Sequence, residues 1–119
     1  MDELRILSPT AILGYGFPAD FLARGMSRRP HAIAVDAGST DPGPHYLGMQ
    51  TGEEGGDPAQ FARTLESDLR PLVKAALEAR IPLLAGSAGM AGGNLHLMSL
   101  ANVAKDIAQQ ERLKFRMAS

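Results

Sequence analysis

The chain reads as an α/β domain, with a mostly parallel four-stranded sheet and helices on both faces in a Rossmann-like three-layer arrangement. Three observations carry that expectation. Short apolar runs at 4–7, 32–35 and 81–85 alternate with stretches long enough to cross over, and strand–helix–strand units joined in this way are parallel and right-handed. The run at 32–35 is apolar without alternation, as in a strand buried on both faces. Each run then empties into small, turn-forming and hydroxyl residues. In open parallel sheets the ligand crevice lies outside the carboxyl ends of the strands.

The elements follow in order. Residues 4–7 form a first short strand, and Pro18 at a first helical position opens a helix to about Met26, with Phe17, Phe21 and Leu22 as its apolar contacts. The second strand, at 32–35, is bounded by Pro30 and Gly38. Between Asp41 and Gly56 five glycines and two prolines fall within sixteen residues, which predicts a long irregular loop. Asp57 as N-cap and Pro58 at N1 then open an amphipathic helix of about 22 residues. Its apolar face is Phe61, Leu65, Leu69, Leu72, Val73 and Ala76. Pro71 lies inside it and removes one intrahelical hydrogen bond, predicting a kink or break near Asp68. The charges of this helix, like Arg28 and Arg29, read as solvated surface. A strand at 81–85 hands over through a glycine loop to a helix at 94–110 with the stripe Leu97, Leu100, Ala101, Ala104, Ile107 and Ala108. Residues 114–117 read as a fourth strand. Nothing after it covers that edge, so the chain is expected to be one segment of a larger enzyme, or a homo-oligomer or partner-bound subunit in which another chain covers the edge strand.

Bulk properties narrow the function. At 119 residues the chain is a single domain, 1–119, large enough to bury roughly two-thirds of its unfolded surface. With 12 basic and 13 acidic residues the net charge is −1, which gives no electrostatic case for nucleic acid or an anionic membrane. No apolar run approaches the roughly 20 residues of a membrane span, and Met1-Asp2-Glu3 is acidic where a secretory signal is basic. A cytoplasmic location is the expectation. Without cysteine, chemistry must come from carboxylates, imidazoles, hydroxyls and main-chain amides.

The loops supply such groups. Gly86-Ser87-Ala88-Gly89-Met90-Ala91-Gly92-Gly93 sits between a strand and a helix, where amides and the positive helix end cradle an anion; tight strand-to-helix packing is the plainer reading of the same glycines. The segment is neither a dinucleotide nor a Walker fingerprint, and Ser87 misses the nucleophile-elbow spacing by one residue. Asn94 is a candidate cap, and His96 is placed facing the same mouth, either as a catalytic or as a structural histidine. Three roles are open to Asp36: metal ligand, general base, or acceptor of main-chain amides that organise its turn. Asp41 and His45 form an acid–imidazole pair in one loop, with an Asx turn as the alternative for Asp41. The spacing of Asp36, Asp41 and His45 matches no metal motif; no cofactor is assigned, and a divalent metal stays open. Tyr15 and Tyr46, the two tyrosines of the chain, suit ligand orientation or simple rim packing.

Asp36-Ala37-Gly38-Ser39-Thr40-Asp41 resembles the first phosphate loop of the acetate and sugar kinase, heat-shock protein and actin superfamily, although Pro42 and Pro44 stop the hairpin that follows there. A longer likeness covers nearly the whole chain. Arg5-Ile6-Leu7-Ser8-Pro9-Thr10, Gly14-Tyr15-Gly16-Phe17-Pro18, Ile33-Ala34-Val35-Asp36-Ala37-Gly38-Ser39-Thr40-Asp41-Pro42-Gly43-Pro44, and Gly86-Ser87-Ala88-Gly89 with Gly92, Gly93 and His96 together resemble the N-terminal part of the acyclic terpene utilisation (AtuA-like) family. The chain departs from that pattern at Met90 and at Asn94-Leu95. The resemblance implies the first portion of a longer α/β enzyme that degrades branched acids or their coenzyme A thioesters. The expected activity is a lyase or hydratase acting on a small carboxylate or acyl-CoA. Asp36, Asp41, His45 and His96 are its catalytic candidates. Thr10, Tyr15, Gly38, Ser39, Thr40, Tyr46, Gly86, Ser87, Gly89, Gly92, Gly93 and Asn94 are its ligand-binding candidates. A phosphate- or nucleotide-binding module and a non-catalytic subunit are the alternatives.

Overall fold

The structure, a computed structural model, describes residues 3–38, 43–49 and 58–119. It is an α/β fold in which β1 (Ile6–Leu7), β2 (Ala32–Gly38) and β3 (Leu83–Met90) form one parallel sheet in the order β1-β2-β3. Ile6 pairs with Ala32, and Ile33, Ala34, Val35 and Asp36 pair with Leu83, Leu84, Ala85 and Gly86. The next pair is Gly38 with Met90, so two steps along β2 span four along β3. This bulge contains Ser87 at φ 50° and Gly89 at φ 68°, and ends at Met90, φ 76°. The strand thus runs through most of the stretch expected to be a glycine loop.

The helices are α1 (Ala19–Ser27), α2 (Gly43–Met49), α3 (Pro58–Ala79) and α4 (Asn94–Gln110). Pro18 is the N-cap of α1 rather than its first helical residue. α2 occupies ground expected to be irregular, because Pro44 sits in a first turn, where a missing N–H costs nothing; the anticipated Asp57 cap lies outside the described residues. α3 is continuous through Pro71 instead of breaking near Asp68. Leu65, Leu69, Leu72, Val73 and Ala76 on both sides of the proline are buried in one core, and that packing outweighs one lost hydrogen bond.

The core lies on one side of the sheet. Ile33, Val35 and Ala37 are buried with Leu13, Leu65, Leu72 and Ile107. The opposite face, carrying Ile6 at 59% exposure, Leu84 at 58%, half-buried Ala34 and exposed Asp36, is open among the described residues. Among the described residues, the expected helices on both faces are therefore not found. Two successive right-handed crossovers in the order β1-β2-β3 put both connections on the same face, and covering the other requires a reversal of strand order. The fourth strand is not found either: residues 113–119 follow α4 without pairing, with Leu113 and Phe115 resting partly buried on the core. α3 and α4 are tied at their surface, where Arg70 donates to Glu66 and to Glu111 Oε1 (2.6 Å) and Lys74 donates to Glu111 Oε2 (3.0 Å). No helix among the described residues is long and apolar enough to cross a membrane.

Candidate functional site

Parallel pairing delivers the exits of all three strands to one edge, and specific contacts draw them together. The Leu13 N–H, in the loop after β1, donates to the Asp36 carbonyl at 2.8 Å. Gly38, at the end of β2, lies so close to Ser87 on β3 that a Cβ there would collide with the serine Cβ. A Cβ on Gly14 would stand 3.3 Å from Met90 Cε, so the first exit also lies against the third. The end of α2 joins them through Leu47 Cδ1, 3.5 Å from where a Gly93 Cβ would be. With no reversal of strand order there is no switch-point crevice; it is loops leaning over the sheet edge that shape the site.

The individual residues divide into two groups. Tyr15 at 60% exposure, Asp36, Gly86, Ser87, His45 and Asn94 are exposed. Gly86 pairs directly with Asp36, and a Cβ on it would meet nothing within 4 Å, so the space above this pair is open. Asp36 Oδ1 accepts the Gly38 N–H at 2.8 Å, the turn-organising role among the three considered. The other group is built into walls. Thr10 is 8% exposed and its hydroxyl donates to the Ile12 carbonyl at 3.0 Å, shaping its own loop rather than facing a ligand. His96 is 4% exposed, under a turn in which Gly89 and Gly93 lie close against it, so it is packed beneath the loop. The Gly92 N–H donates to the Ala88 carbonyl at 3.1 Å, closing that turn. Gly93 is the N-cap of α4 and Asn94 its first residue, so Asn94 is not the cap. The helix leaves its first-turn amides, from Asn94 on, directed at the same edge. Ser39, Thr40 and Asp41 lie outside the described residues, as does the side chain of Tyr46. Among the described residues no group of three His, Asp or Glu side chains is placed to hold a metal ion.

One residue escaped sequence reasoning. Asp68 on α3, counted among solvated charges, is 6% exposed and its Oδ2 accepts the N–H groups of Gly14 at 2.7 Å and Gly16 at 2.9 Å. The signal was present: Asp68 is three residues after Leu65 and four before Leu72, inside the apolar stripe, and a carboxylate there must be met by donors. Comparison of the chain with protein-family models, with curated proteins and with solved structures finds no match.

Proposed function

We propose that the chain is an enzyme, or the subunit of one, in carboxylic-acid or acyl-CoA catabolism, a lyase or hydratase working by acid–base chemistry at the carboxyl edge of the sheet in the cytoplasm. The observation that carries this reading is the convergence of three loop exits, with the Asp36–Gly86 pair open beside Ser87. The likeness to the AtuA-like family agrees with it. The substrate carboxylate or thioester carbonyl rests on the first-turn amides of α4, where the helix end favours negative charge. Asp36, or the Asp41–His45 pair, takes a proton from water whose oxygen adds to the β-carbon of an unsaturated acyl group, and the α-carbon gains a proton. Asp36 keeps its turn through Oδ1 while its carboxylate faces the open space.

Hydration of crotonyl-coenzyme A, followed by loss of the enoyl absorbance, tests the proposal. Turnover is expected, and Asp36→Asn is expected to lower it by about 10²-fold or more with the melting temperature nearly unchanged. No turnover on crotonyl-CoA or on branched enoyl thioesters overturns it, and heat on titration with magnesium-ATP would move the site to the phosphate-binding alternative. That alternative has less support, because the Gly38 amide is already engaged by Asp36. A second reading, a subunit that completes its layers against another chain, is favoured by the open face bearing Ile6 and Leu84.

A further inference from the structure

Asp68 is buried on α3, yet it governs the one exposed aromatic of the loop after β1. Its Oδ2 accepts from Gly14 and Gly16, and such charge-assisted bonds are about twice as strong as neutral ones. Tyr15, between the two donors, gives its own N–H to the Ile12 carbonyl at 3.2 Å. Three successive amides are therefore held, at φ 102° for Gly14 and 82° for Gly16, while the Tyr15 side chain remains 60% exposed. Covering the core does not require this second anchor. Leu13, fully buried and bonded to the Asp36 carbonyl, already fastens the loop there. The second anchor fixes the backbone of a residue that does not pack.

We propose that Asp68 is a positioning residue of the carboxyl-edge site: it holds Tyr15 in one orientation, so that the phenol hydroxyl donates to the carbonyl or carboxylate oxygen of an acyl ligand. This rests on the acyl-ligand reading of the edge. A ring ordered before the ligand arrives loses less entropy on binding than a mobile one, and a tyrosine hydroxyl matches an oxygen acceptor. The same clamp seats Gly14 against Met90, so Asp68 joins the first and third exits.

In a Tyr46→Phe background Tyr15 is the sole tyrosine of a chain without tryptophan, and its fluorescence anisotropy and acrylamide quenching report on that ring alone. Asp68→Leu, which removes both acceptor oxygens at similar size, is expected to lower the anisotropy and increase quenching with circular dichroism unchanged; a folded variant with unchanged anisotropy overturns the proposal. Should Asp68→Leu not fold, the amide protons of Gly14 and Gly16 in the wild-type protein are expected to exchange with solvent far more slowly than open loop amides, and exchange at the open-loop rate overturns the clamp. Binding of crotonyl-CoA supplies the second arm. Asp68→Leu is expected to weaken it about tenfold and to add no further loss on top of Tyr15→Ala. An equal loss in both backgrounds leaves Asp68 a structural role alone and overturns the proposal. If the wild-type protein does not bind crotonyl-CoA, the acyl reading fails, and the anisotropy still decides whether Asp68 positions Tyr15.

Discussion

Asp36 combines two duties that substitution can separate. Its Oδ1 shapes the turn through the Gly38 N–H, and an asparagine oxygen accepts the same bond, whereas alanine leaves that amide without its acceptor. Asp36→Ala is therefore expected to lower stability by about 1 kcal/mol as well as activity, while Asp36→Asn lowers activity alone; equal stability losses by urea denaturation would assign the carboxylate to the turn only. A residue with no polar duty gives the contrasting case. Leu72 is fully buried in the core, so Leu72→Ala removes the side chain and leaves a cavity, costing about 3 kcal/mol. The urea midpoint should fall with the denaturant slope unchanged, and a loss below about 1 kcal/mol would mean that the core collapses around the gap.

Among the elements, α3 supplies the largest set of buried core side chains and holds its one internal proline at a price in backbone bonding. Pro71 offers no N–H to the Ser67 carbonyl four residues back, and its ring lines a groove against Ala19, Leu22 and Met26 of α1. Pro71→Ala restores the bond and is expected to stabilise by about 1–3 kcal/mol, raising the melting temperature by about 4 °C per kcal/mol; a fall would show that the ring's contact with α1 outweighs the missing bond. The α3–α4 seam adds a pH dependence. Lys74 and then Arg70 hold the Glu111 carboxyl below its ordinary range, and Glu111 in turn holds the Arg70 guanidinium above its own. A depressed carboxylate pKa contributes stability that is present above the unfolded-state value and is lost as pH falls through the folded one. The advantage of the wild-type protein over Glu111→Gln should accordingly be full at neutral pH and fade below the ordinary carboxylate range, whereas the raised Arg70 would matter only in strong alkali. A wild-type advantage that stays constant into acid would remove Glu111 as its source. Both partners stand at the surface, so salt weakens the effect.

At the scale of the whole molecule, what was legible in the sequence is what local chemistry decides. α4 and the apolar stripe of α3 follow from periodicity, and the arrival of the ends of β1, β2 and β3 at one edge follows from parallel strands. Strand order leaves no mark on local periodicity, so an apolar run such as 32–35 looks the same whether one face or both are covered. Residues 114–117 carry a strand pattern, but a strand also needs an edge to pair with, and position along the chain does not reveal one. Asp68 was missed for the opposite reason: its charge was weighed without its place in the stripe. The consequence is a sheet whose second face presents Ile6 and Leu84, each more than half exposed, on the two sides of β2 beside Ala32 and Ala34. Large apolar side chains left exposed on one sheet face are candidates for an interaction site. Leu84→Thr tests this, because threonine keeps strand propensity while removing apolar area from a position that contributes little to the core. If another copy covers this face, the wild-type chain sediments above its 12.6 kDa and Leu84→Thr shifts it toward the monomer, with monomer stability changed by no more than about 0.5 kcal/mol. A wild-type chain that sediments as a monomer at every concentration, and is unaltered by the substitution, removes self-association from the second reading and leaves the carboxyl edge to act within a single chain.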